Sequence, residues 1–341
     1  MDDFQQFEQR KQDHIALALQ EENQALGLSG FDAVRLVHEA LPDLNFADID
    51  ITSIRLGRLV SKPLMVASMT AGHREANRIN QRLLAASAEM DWAMGVGSQR
   101  RELTDSAATR DWQSLRADYP SVSLYANLGI AQLINTPVEA ILPLTLGLGA
   151  DALIIHCNAL QECIQPEGTP EFKGCWDALA RLVDEFPIPI VIKETGCGFS
   201  SQTMARLNTL GVAAVDVSGL GGTHWGRIEG QRAELHSRQR RAATTFADWG
   251  QSTVESVRNA VALAPNFEIW GSGGVRHGLD AAKLFALGAS NVALAQPLLV
   301  AAMQSTSAVV ALMERIEYEL KVALFCTGSA GLHELRDKVR S

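Results

Sequence analysis

Eight short apolar runs recur along the chain, most of them leading straight into Gly, Ser, Asn, Thr or His. They begin at Pro63, Trp92, Val122, Ala152, Ile190, Ala214, Phe267 and Val292. Helical patterns separate them, so the order is strand, helix, strand, helix throughout. Near-continuous apolar strands are buried on both faces, as in a parallel sheet. Eight such units predict an α/β fold, a (β/α)₈ TIM barrel, in which polar residues at the strand C-termini gather at one mouth.

Outside the eight units the pattern predicts a helix over 5–22, a break at Ser29-Gly30 and a second helix over about 31–40. An imperfectly alternating stretch from Ile49 to Val60, containing Gly57, predicts a hairpin on the barrel floor. The expected organisation is one domain: an extension with the floor hairpin over 1–62, the barrel over 63–325 and a polar tail over 326–341. The gap from Val217 to Phe267 marks an insertion after the sixth strand. Its later arginines, Arg232 among them, read as a solvated mixed-charge face, whereas Arg227 and Glu229 lie close to the strand end. Residues 297–325 read as the eighth barrel helix.

Composition adds limits. At 341 residues the chain exceeds the about 250 of a typical barrel of this kind, which leaves room for the extension and insertion. A net charge of −9 argues against a broad nucleic-acid or anionic-membrane surface, so an anionic ligand must be met by a local cationic pocket. Five cysteines without a Cys-x-x-Cys pair read as reduced thiols rather than a disulfide frame or zinc site. The acidic, polar start lacks the features of a secretion signal, and the apolar stretch 136–155 is broken by prolines and acids. A cytoplasmic enzyme without membrane or nucleic-acid partners is the simplest expectation.

The candidate chemistry sits at the strand ends. Ser68-Met69-Thr70, Ser98-Gln99-Arg100 and Asn127 bring hydroxyls and amides suited to a planar heterocycle, although Ser, Thr and Asn also serve as helix caps. Lys193 ends the fifth strand. A buried ammonium needs a partner, so it meets an anion or an electron-rich ring, acts as a Schiff-base amine, or pairs with Glu194 or Asp216. Ser272-Gly273-Gly274-Val275 and Ala295-Gln296 follow the seventh and eighth strands, where such barrels commonly hold phosphate. Gly221-Gly222-Thr223-His224-Trp225 adds donors after the sixth. The densest polar run, from His156 through Asn158, Gln161 and Glu162 to Gly168, offers a single carboxylate, which suits Mg²⁺. Far upstream, Arg10, Lys11 and His14 read as an exposed helix face or as a lid for a diphosphate.

Together these segments resemble the FMN-dependent type 2 isopentenyl diphosphate isomerases, nearly along the whole chain and in order. The His-x-Asn-x-x-Gln-Glu run with Pro-Glu-Gly is the specific part of that match. The resemblance implies an isomerase that moves a proton at reduced FMN, with NADPH as reductant and Mg²⁺ on the diphosphate, in a homo-oligomer of four or more chains. It implies FMN contacts from Ser68, Met69, Thr70, Ser98, Asn127, Lys193, Thr223, Gly273, Gly274, Val275, Ala295 and Gln296. For the substrate it implies Arg10, Lys11, His14, Ser98, Gln99, Arg100, His156, Asn158 and Gln161, for the metal Glu162, and for catalysis Gln161 with Trp225 and Glu229. Two departures stand out: Ala71-Gly72-His73 where the family commonly has Gly-Gly, and His224 where Ser is frequent after Gly-Gly-Thr. The competing expectations are an FMN-dependent 2-hydroxy-acid oxidase or dehydrogenase, which needs a base at the flavin, and a non-catalytic barrel binding a phosphorylated metabolite.

Overall fold

A computed structural model describes residues 3–70 and 74–340; Ala71-Gly72-His73 lies outside the described residues. An antiparallel hairpin, β1 (Ser53–Arg55) and β2 (Arg58–Val60), precedes eight parallel strands. These are β3 (Leu64–Val66), β4 (Ala93–Gly95), β5 (Leu124–Gly129), β6 (Ala152–Cys157), β7 (Ile190–Glu194), β8 (Ala214–Asp216), β9 (Glu268–Gly271) and β10 (Asn291–Leu294). They close in chain order, with β10 pairing β3. The closed eight-stranded barrel is the one that the apolar runs predict.

Two cores follow from the alternation of each strand. Outward-facing Val, Ile and Leu pack against the helix ring, while Met65, Ala93, Tyr125, Ala152, Ile154, Val191, Ala214, Trp270 and Ala293 fill the barrel interior. Tyr125 and Trp270 lie 5.5 Å apart there, and the many alanines leave room for them. The hairpin sits at the floor: Asn291 Nδ2 and Ser53 Oγ donate to carbonyls across the β1–β10 junction, and Leu56 packs against the interior cluster.

The register fixes the mouth. Gly129 pairs with His156, His156 with Lys193, and Lys193 with Asp216, so three neighbouring strands present one polar residue each at the same level.

Two helix expectations are corrected. Over 31–40 only a 3₁₀ turn forms, Phe31–Ala33. Beyond it Val37 N donates to Lys338 O and Arg340 N to Arg35 O, so pairing with the C-terminal segment takes the backbone bonds a helix would use. Its β-branched valines suit that extended path. The stretch 297–325 is two helices, Gln296–Gln304 and Thr306–Cys326, divided by Ser305, whose side chain accepts from Ala308 N as an N-cap. No helix among the described residues is long and apolar enough to cross a membrane.

Candidate active site

Two cavities open at the C-terminal mouth and share the wall formed by Lys11, His14, Ser68, Met69, Lys193, Thr195 and Trp225. The first runs over β7–β10 and takes in Thr70, Thr223, Gly273, Gly274, Val275, Arg276, Ala295 and Gln296. The second lies over β4–β6 and takes in Arg10, Ser98, Arg100, Asn127, Gln132, His156, Asn158, Gln161, Glu162 and Gln165.

The first cavity is built on backbone. Gly273 and Gly274 have φ of +101° and +78°, and a Cβ on Gly274 would lie 2.5 Å from Gly221 O. The turn after β9 therefore packs main chain on main chain against the Gly219–Gly222 turn after β8. Such a surface lets a ligand approach peptide N–H groups without intervening side chains. The helix starting at Gln296 adds a first turn whose N–H groups have no intrahelical acceptor. At the opposite side Ser68 Oγ is buried without a partner. Lys193 Nζ donates to Glu194 O at 2.8 Å and faces Asp216 Oδ2 at 3.5 Å, so the charge is paired while its side chain still borders both cavities. Hydroxyl, ammonium and a glycine cradle together fit a planar flavin with a phosphate tail.

The segment after the N-terminal helix, Asp3–Ala18, secures this cradle from above. Gln24 receives from Arg276 Nη2 at 2.9 Å and donates to Ala18 O, and Ala25 N donates to Gly222 O. Thr223 exchanges hydrogen bonds with the same Gln24 amide.

The second cavity is built on the short helix Ala159–Ile164, where i, i+3 and i+4 spacing aligns Asn158, Gln161, Glu162 and Gln165 on one face. Asn158 Nδ2 donates to Gln161 Oε1 at 3.2 Å and to Glu162 Oε1 at 2.9 Å, while its own Oδ1 is buried with no partner. Thr169 N donates to Glu162 Oε2 at 2.7 Å, and the chain can turn back this far because a Cβ on Gly168 would meet Glu162 O at 2.1 Å. The Pro-Glu-Gly motif is thus the turn that fixes the carboxylate. No group of three or more His, Cys, Asp and Glu able to hold a metal occurs among the described residues. Glu162 is the one carboxylate among the described residues lining this cavity, which fits a hard cation taking few protein ligands.

Cations surround this cavity. Burial, and then Arg10, pull the Lys11 ammonium down to about 8. His156 is pushed down to about 3 by burial and by Lys11 and Lys193, so it is neutral. His14 packs edge-on against Trp225 at 5.1 Å, and its Nε2 donates to Glu229 Oε1 at 2.8 Å. Burial alone would raise Glu229; the hydrogen bond from His14 and the charge of Arg232 outweigh it and hold the carboxyl below its ordinary value.

Two of the expected site residues stand behind the walls. Gln99 is buried and accepts from Asn127 N at 3.1 Å, bracing that strand rather than facing a cavity. Glu229 is fully buried and borders neither cavity, reaching them through Gln161 Nε2 at 3.0 Å and through His14. His224 also turns away: its Nδ1 caps the helix Trp225–Arg232 and its Nε2 faces Trp249 O. Thr195, Gln132, Gln165 and Arg276 also line the cavities, and the sequence pattern gives none of them a role. Gln165 was discoverable, since it lies four residues beyond Gln161 on the same helical face. Arg232, read from sequence as solvated, is instead mostly buried against Glu229 and Glu167.

The closed eight-stranded barrel carries its cavities at the C-terminal mouth, as barrel enzymes do, and residues 156–341 match the model of the FMN-dependent dehydrogenase family. Among solved structures the fold is similar to a flavocytochrome b2 variant with sulfite bound, at a TM-score of 0.70 and 18% identity over 99% of this chain and 85% of that one. A mandelate oxidase with (S)-2-phenylpropionate gives 0.68 at 17% identity, over 97% and 93%. Curated relatives are much nearer in sequence. The isopentenyl-diphosphate delta-isomerase of Legionella pneumophila (strain Corby) is 61% identical over 336 residues, 98% of each chain. That of Bdellovibrio bacteriovorus is 48% identical over 337 residues, 98% of this chain and 97% of the other. The chain belongs to the isopentenyl-diphosphate delta-isomerases, within the FMN-dependent family.

Proposed function

We propose that this protein interconverts isopentenyl and dimethylallyl diphosphate in isoprenoid biosynthesis, adding a proton at one carbon and removing one at another without net redox change. The observation that carries this reading is the common wall of the two cavities, which sets a flavin-shaped cradle beside a cationic pocket with one carboxylate. FMN, kept reduced by NADPH, would supply an electron-rich ring and an acid–base group beside the alkene.

The chain's own residues do the rest. Ser68, Met69, Thr70, Lys193, Thr223, the Gly273–Val275 turn, Ala295 and Gln296 hold the cofactor, with Ser98 and Asn127 on the side of the second cavity. Arg10, Lys11 and Arg100 neutralise the diphosphate, and Glu162 would hold Mg²⁺, which would supply further positive charge there. Gln161 orients the reacting end, because its amide is fixed by Asn158 on one side and Glu229 on the other. Trp225 and the N-terminal helix close the mouth and exclude water from a developing carbocation. The active form is proposed as a cytoplasmic homo-oligomer, tetramer or larger, which light scattering coupled to size-exclusion chromatography checks.

The oxidase alternative requires a base at the flavin. His224, the histidine of the Gly-Gly-Thr-His segment, is occupied as a helix cap and borders neither cavity, which weighs against hydride abstraction. The deciding experiment reduces the FMN-loaded protein anaerobically, adds Mg²⁺ and isopentenyl diphosphate, and looks for dimethylallyl diphosphate. Consumption of lactate or glycolate with flavin reduction, and no product from isopentenyl diphosphate, would reverse the assignment.

A further inference from the structure

Glu229 is buried behind the cavity walls and joins three elements. Its Oε1 accepts from His14 of the N-terminal helix and from Gln161 of the helix after β6, at 2.8 and 3.0 Å. Its Oε2 accepts from Arg232 Nη1 at 2.5 Å. The same guanidinium donates through Nη2 to Glu167 Oε1 at 2.7 Å, and its Nε faces Asp13 Oδ2 at 3.6 Å. Arg10 reaches Glu167 Oε1 as well, at 3.8 Å.

We infer that Arg232 is a positioning residue for the isomerase site: it keeps Glu229 an acceptor for Gln161 and His14, and it latches the N-terminal helix to the Pro-Glu-Gly turn. The inference rests on the proposed activity for the role of Gln161. An amide has two orientations, and its neighbours choose between them. Gln161 Nε2 faces two acceptors, Glu229 Oε1 and Gln165 Oε1, and its oxygen receives from Asn158. Were Glu229 to take a proton, its hydroxyl would compete as a donor toward Gln161 and favour the flipped amide. The charged or titratable groups facing Glu229 are Arg10, Lys11 and His14 from the N-terminal helix and Arg232 from its own. Among the described residues, the bond to Oε2 comes from Arg232, whose planar fork reaches Glu229 and Glu167 at once through two separate nitrogens, a geometry that the compact ammonium of a lysine does not reproduce.

The test compares Arg232→Met and Arg232→Lys with the parent holoenzyme. Arg232 lines neither cavity, so FMN content should be unchanged. Arg232→Met should lose about 10- to 100-fold in kcat at pH 7. The loss should shrink as pH rises, because Glu229 without its arginine stays protonated to higher pH and regains its acceptor role only on ionising. Trypsin cleavage after Arg10 and Lys11 should be several-fold faster in this variant. Arg232→Lys should recover the parent's pH dependence but not its trypsin resistance. A variant-to-parent kcat ratio for Arg232→Met that is constant with pH, or equal trypsin rates, overturns the inference. Should Arg232→Met fail to fold, Arg232→Lys decides alone: one that matches the parent in trypsin resistance overturns it. A parent inactive toward isopentenyl diphosphate sinks the proposed activity and not the latch, which the trypsin comparison then decides.

Discussion

His156 Nδ1 lies 2.9 Å from Asn127 Oδ1, and the orientation of that asparagine is not free: its Nδ2 donates to Val96 O at 3.1 Å. Asn127 Oδ1 is therefore the acceptor, so Nδ1 of His156 carries the hydrogen and Nε2 bears a lone pair. Burial, then Lys11 and Lys193, push this ring down to about 3. Nitrogen NMR of histidine-labelled protein should show one neutral Nδ1–H ring that does not titrate between pH 5 and 8. A His156 signal titrating near the ordinary value of about 6.5 would contradict the arrangement. The linkage has a definite sign. The unfolded chain protonates His156 first, so its contribution to stability is complete above about 6.5 and declines as pH falls toward 3.

Lys11 gives a limb on the alkaline side. Burial comes first and Arg10 second in drawing it down to about 8, and the charged form is the one a diphosphate selects. In the free enzyme kcat/KM should therefore fall as pH rises through about 8, with the loss in KM rather than kcat. Lys11→Arg should remove that limb, since a guanidinium stays charged throughout the range. A limb that persists at the same pH in Lys11→Arg would assign it elsewhere.

The barrel was legible because its strands are buried on both faces, so Val191-Ile192 or Leu153-Ile154-Ile155 could hardly be anything else. The row His156, Lys193 and Asp216 follows directly from the parallel register. What sequence could not supply was direction. Gln99 stands at a strand end like its neighbours, yet only the register with β5 reveals that it turns to the Asn127 backbone. Arg232 sits in a stretch whose charges alternate as on a solvated helix, and only the approach of Glu167 and Asp13 from distant segments removes it from water. The segment 31–40 has a helical pattern yet stays extended beyond Ala33 for a related reason: its partner, residues 338–340, is the far end of the chain. Ser305 is different, being a cap residue that local signals already mark.

Glu162→Gln separates the metal from the flavin. Both carboxylate oxygens already receive donors, Asn158 Nδ2 on one side and Thr169 N on the other. A glutamine must turn its NH₂ toward one of these donors and loses the charge that favours a divalent cation. Turnover should fall at least about 100-fold, a loss of some 2.7 kcal/mol in transition-state stabilisation, and no longer respond to Mg²⁺. FMN content should stay at the parent's level, since Glu162 lines only the second cavity. Full Mg²⁺-dependent activity in this variant would refute the metal role.

Gly274→Ala tests the cradle itself, with Gly57→Ala as its control. Both glycines are left-handed, at φ of +78° and +73°, so alanine costs about 1 kcal/mol of backbone strain at either. They differ in what a methyl group meets. At Gly57, on the floor hairpin, nothing lies within 4 Å, so only a small loss of thermal stability is expected. At Gly274 the methyl would sit 2.5 Å from Gly221 O and 2.7 Å from its carbonyl carbon, and backbone on one side or the other must move. Flavin titration should therefore show at least about 10-fold weaker FMN binding in Gly274→Ala, equivalent to some 1.4 kcal/mol, and parent affinity in Gly57→Ala. Equal FMN affinity in the two variants would mean that the glycine turn after β9 is not where the cofactor is held.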